Sequence, residues 1–84
     1  MGKTQKAETI YRELLDSRYA AEAYHGLGLI EADRAPDQSL AYLRQAVARA
    51  PTNSAMRNDL GYAELLAGHV AQARTEIATA YQLE

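Results

Sequence analysis

The chain has 84 residues, which allows one small domain with a modest core but not a core plus a deep enclosed active site. Its formal net charge is −2 and its arginines are spread singly, so no basic stripe exists for nucleic acid; the absence of cysteine excludes disulfides and thiolate metal sites. No apolar stretch approaches the roughly 20 residues a membrane span needs, and the first ten residues have no signal-peptide core. Met1-Gly2 invites an N-myristoylation reading, but Lys6 stands where Ser or Thr is required. The chain therefore reads as soluble, in the cytoplasm or the periplasm according to any segment outside it.

Alanine dominates the apolar residues, only two prolines occur, and no β-branched run reaches strand length, so an all-α fold of five helices is expected. The first helix covers about 3–17, with Ala7, Ile10, Tyr11, Leu14 and Leu15 at three- and four-residue steps forming one apolar stripe. A second covers about 21–33 and turns Tyr24, Leu27, Gly28 and Ile30 to a neighbour. After a bend at Arg34-Ala35, Pro36 suits the first turn of a third helix to about residue 50, with Leu40, Leu43, Ala46 and Val47 inward. Pro51 ends that helix because it cannot continue the hydrogen-bond ladder. Thr52 or Asn53 offers an N-cap for a fourth helix over about 54–67, and Gly68 suits a left-handed turn after it. Val70 opens a fifth helix that carries Ala73, Ile77, Ala80, Tyr81 and Leu83. Every connection is short, so consecutive helices pack antiparallel.

An internal repeat links the halves. Leu27-Gly28 and Leu60-Gly61 lie 33 positions apart, as do Glu31 and Glu64. Past the bend the offset is 34, pairing Gln38 with Gln72, Leu43 with Ile77 and Ala46 with Ala80. A hairpin of this size cannot hide both its apolar faces within itself, so hairpins stack.

These anchors resemble the tetratricopeptide repeat. One full repeat, 21–53, matches through Tyr24, Leu27, Gly28, Leu43, Ala46 and Pro51; another, 54–84, matches through Leu60, Gly61, Ala63, Gly68, Ala73, Ile77 and Ala80. Ala7, Tyr11 and Leu14 share the spacing of second-helix anchors, so residues 1–20 read as the second helix of a partial repeat within a single domain, 1–84. Three positions depart from the pattern: Arg57 at the aromatic position, Ser39 at a small-residue position and Arg34 at the bend glycine, where a less regular hairpin is expected. The resemblance implies an α–α superhelix of stacked antiparallel hairpins and a protein-interaction scaffold without catalysis or cofactor. The wording NDLGYAELLAG is also similar to repeats of bacterial secretion and pilus-assembly accessory proteins, including those of the tight-adherence system.

Little in the sequence suggests chemistry. His25 and His69 are the only histidines, no HExxH spacing exists, and Gly26-x-Gly28 lies within a helix rather than after a strand, so no catalytic, metal or cofactor residue is assigned. His69 reads as a solvated turn residue, and His25 as a surface histidine near Asn58 and Asp59. Glu31, Asp33 and Glu64 read as solvated acids or partners of Arg34 or Arg57.

A partner segment is expected across the first helices of the repeats, on the concave side. Glu22, His25, Leu29 and Asp33 of one helix and Asn58, Asp59, Tyr62, Leu65 and Leu66 of the other are the candidate groove residues, with Tyr62 as anchor. Some members of the family hold an acidic C-terminal peptide with basic side chains on this face; here those places carry Glu22, His25, Asp59 and Ala55, so an apolar or amphipathic segment fits better. The alternative is a homo-oligomer or assembly contact through terminal helices, since Val70, Ile77 and Tyr81 leave an apolar face bare.

Overall fold

The computed structural model describes residues 2–84; Met1, and with it half of the Met1-Gly2 pair, lies outside the described residues. Among them are five helices and no strand: α1 (Gly2–Leu14), α2 (Ala20–Glu31), α3 (Pro36–Arg49), α4 (Ser54–Leu66) and α5 (Val70–Leu83). Each helix packs chiefly against its neighbours in the chain. The result is a slab of 35 × 27 × 17 Å rather than a closed bundle.

The helix ends have local causes. α1 stops at Leu14, earlier than its apolar stripe suggests, because Ser17 intervenes. The Ser17 amide (3.0 Å) and hydroxyl (2.6 Å) both donate to the Leu14 carbonyl, which closes the last turn tightly. α3 begins on Pro36, whose missing N–H is one that no helix satisfies in its first turn. Asn53 caps α4, its side-chain oxygen accepting from the Met56 amide at 3.0 Å. At the other end Gly68 adopts φ 85°, the His69 amide donates to the Glu64 carbonyl and the Gly68 amide to that of Leu65. Those two bonds and the left-handed residue make a Schellman closure. The bend at residues 32–35 is built differently: Ala35 has φ −145° and ψ 75°, its amide donates to the Glu31 carbonyl at 2.8 Å, and no residue takes a positive φ.

The core lies along the seam of α3 and α4, where Leu40, Leu43, Ala46, Val47, Met56 and Leu60 are buried against one another. Tyr24 from α2 packs onto this cluster, stacks at a tilt on Tyr42 and carries the Arg49 guanidinium 4.6 Å above its ring. Two glycines set the spacing within the hairpins. A Cβ on Gly28 would lie 2.6 Å from Leu43, and one on Gly61 would lie 2.6 Å from Ile77. Gly26 plays a related part between α1 and α2, where the Tyr11 ring occupies the space a side chain would need.

Several expectations change. Ile10 belongs by spacing to the apolar stripe of α1, yet it is half exposed, because Tyr11 and not Ile10 faces α2. Glu31 and Glu64 are not solvated but buried. Glu31 does pair with Arg34, which also reaches Glu8 of α1 at 3.3 Å and so ties the first two helices together. Glu64 takes Arg44 of α3 at 3.5 Å, while Arg57 is drawn instead to Glu76 of α5 at 2.8 Å. His69 is half-buried with Nδ1 enclosed, so it is not freely solvated. The Arg12 guanidinium, and with it Arg34, holds the Glu8 carboxyl below its usual range against the opposing effect of desolvation.

Candidate partner-binding face

α2 and α4 meet through His25 and Asp59 while α3 packs against both, and the exposed residues of α2 and α4 set up the candidate face. Leu29 and Tyr62 occupy positions 33 apart on these two helices, and both are about half exposed or more (51% and 60%). Such exposure of large apolar groups at repeated positions is informative because each lies beside a hollow. The deeper hollow has a volume of about 180 Å³. Leu29 and Asp33 close one side of it, Asp59, Tyr62 and Leu66 the other, and Pro36, Ser39 and Leu43 of α3 form its back wall.

A second, shallower hollow of about 340 Å³ sits between α1 and α2. Its walls follow the same plan: Tyr11 stands where Leu43 stands in the first, Ala7 where Ser39 stands, and Leu29 and Ile30 where Tyr62 and Ala63 stand. The hollow is thus a product of the repeated helix packing, recurring wherever a first helix follows a second. Leu29 lines both.

The candidate residues separate into three groups. Leu29, Asp33, Asp59, Tyr62 and Leu66 are brought together around the deeper hollow. His25 does not line it but steadies one side: its Nε2 lies 2.6 Å from Asp59 Oδ2, joining α2 to α4 across the repeat boundary. Glu22, Asn58 and Leu65 are exposed on the same two helices and line neither hollow. The contribution of α3 is what sequence reasoning missed. Pro36, Ser39 and Leu43 follow one another at three and four residues, so they share a helix face. Leu43 reads as core from its spacing, and it is buried, yet its edge reaches the hollow. Ser39, a departure from the repeat pattern, is accommodated because its hydroxyl donates to the Gly28 carbonyl at 2.6 Å.

The lining of the deeper hollow is apolar with two carboxylates, and among the described residues no group of three His, Cys, Asp or Glu side chains is arranged to hold a metal ion. Among the described residues no helix is long and apolar enough to cross a membrane.

The chain is similar to the TPR repeat-containing protein PA4299 of Pseudomonas aeruginosa, with 44% identity over 81 residues, 94% of this chain. It spans about a third (33%) of the length of that relative. No family model matches the chain, and no solved structure matches it. Hairpins spaced by Gly28 and Gly61 against Leu43 and Ile77, an open slab of sequential helices and this relative together support assigning the chain to the tetratricopeptide-repeat family, whose members are in general interaction modules that bind other proteins.

Proposed function

We propose that the chain is a docking module, without catalysis, which receives a segment of another protein across α2 and α4. The observation that carries this reading is the placement of Leu29 and Tyr62, repeat-related and exposed, on either side of one hollow. Large apolar side chains left at the surface beside a cavity gain most from being covered by a partner. In this reading residues 54–84 and 21–53 are full repeats, residues 1–20 supply the second helix of another, and the groove residues are Glu22, His25, Leu29, Asp33, Asn58, Asp59, Tyr62, Leu65 and Leu66. Tyr62→Ala and Leu29→Glu each abolish recovery of a partner from the native source while leaving helical circular dichroism unchanged. Recovery at the wild-type level by both variants removes this reading.

A second reading is supported by α5. Val70 and Tyr81 are 63% and 81% exposed on the last helix, and Tyr81 corresponds to Val47 of α3, which α4 covers. That bare face suits a contact with a second copy, or with a component of a larger assembly such as a bacterial secretion or pilus apparatus.

A further inference from the structure

We infer that the deeper hollow receives the side chain of an arginine or a lysine carried by the docked partner. The inference rests on the docking reading and adds the chemistry of the partner to it. At about 180 Å³ the hollow matches one long side chain rather than a folded element. Its walls call for a particular kind of side chain. Leu29, Leu43, Tyr62 and Leu66 supply an apolar sleeve, while Asp33 and Asp59 add two carboxylates and no basic residue lines it.

A purely apolar side chain would fill the sleeve but lie against two carboxylates that it cannot pair. An acidic one would be repelled by both. A long basic side chain satisfies every wall at once, with its methylenes on the leucines and its charged head at the carboxylates. The carboxylates are free to take it. Asp33 is exposed, just beyond the end of α2, and forms no hydrogen bond or ion pair among the described residues. Asp59 gives Oδ2 to His25 and keeps Oδ1 for a ligand. That same bond holds the Asp59 side chain on the α2 side of α4, at the hollow, so the acceptor is oriented before the ligand arrives. Tyr62 adds an aromatic face over which a cation is favoured, and a planar guanidinium exploits both the ring and the two carboxylates better than an ammonium does. Arginine is therefore preferred over lysine.

A selection of random octapeptides displayed on phage, performed with the whole chain as bait, tests this. Peptides whose binding requires Leu29 and Tyr62 are expected to carry an arginine or lysine flanked by apolar residues. For one such synthetic peptide, Asp33→Asn weakens binding about two- to fivefold, in line with a partly exposed ion pair. Adding Asp59→Asn to it removes the preference for a basic over a neutral residue of the same length, with helicity unchanged by circular dichroism. Selected peptides that need Leu29 and Tyr62 but show no enrichment of basic residues overturn the inference and leave the docking reading standing. So do basic peptides indifferent to both aspartate substitutions. A selection that yields no peptide dependent on Leu29 and Tyr62 overturns both.

Discussion

Glycine at 28 and at 61 marks the same place in two hairpins, yet the two sites differ in how much room surrounds them. An added Cβ at either position meets a side chain at 2.6 Å and a backbone carbonyl at 3.3 Å. The neighbour at Gly28 is Leu43, only 3% exposed and locked in the core, whereas Ile77, the neighbour at Gly61, is 38% exposed and can swing outward. Replacing glycine with alanine within a helix recovers about 1 kcal/mol of propensity, while overpacking a tight core costs about 1–3 kcal/mol. Gly28→Ala is thus expected to lose up to about 2 kcal/mol in urea unfolding, and Gly61→Ala to lose less and stay within about 1 kcal/mol of the parent. Equal losses at the two sites would show that the outer edge of the second hairpin is as rigid as the inner seam. The pairing of Leu-Gly with a residue 15 or 16 positions on was legible in the sequence as a spacing. The difference in rigidity was not, because it depends on whether another helix follows, and α4 follows α3 while none among the described residues follows α5. The burial of Glu64 was hidden for a similar reason: its partner Arg44 comes from a helix 20 positions away, and nothing local to Glu64 announces it.

At the scale of the element, the two hairpin bends solve one problem in two ways. Gly68 takes the left-handed conformation that closes α4, which costs other residues about 1–2 kcal/mol. The earlier bend carries Arg34 where the repeat pattern has glycine, and it needs no glycine because no positive φ occurs there. Arg34 instead reaches Glu31 and Glu8. Gly68→Ala should therefore lower the unfolding free energy by about 1–2 kcal/mol, whereas Arg34→Gly should bring no gain and should abolish the salt sensitivity that the Glu8–Arg34–Glu31 link confers on thermal unfolding. A rise in stability for Arg34→Gly would mean that the first bend is under strain that the backbone angles do not reveal. Helix positions, the end of α1 apart, and a cap for α4 at Thr52 or Asn53 could be read from spacing and residue type, since both are set within a few residues. The part of the candidate face contributed by α3 could not: Leu43 and Ser39 each serve the interior and the hollow, and a single stripe of apolar residues does not say where an interior ends.

For the molecule as a whole, the open arrangement leaves two distinct surfaces exposed. One is the trough across α2 and α4; the other is the outer side of α5, where Tyr81 is 81% exposed. If the α5 side joins copies of the chain, the mass from light scattering rises with protein concentration, and Tyr81→Glu returns it to that of one chain. A mass of one chain at every concentration removes self-association. The two surfaces lie on different helices, so a variant that silences one is expected to leave the other intact.

Leu29 stands between the two hollows as a party wall, lining the one beside Tyr11 and the one beside Tyr62. Any rotation of that single side chain enlarges one chamber at the expense of its neighbour. Two residues of a bound segment, seated in adjacent chambers, would consequently compete for the same few cubic ångströms, so their sizes must be chosen together.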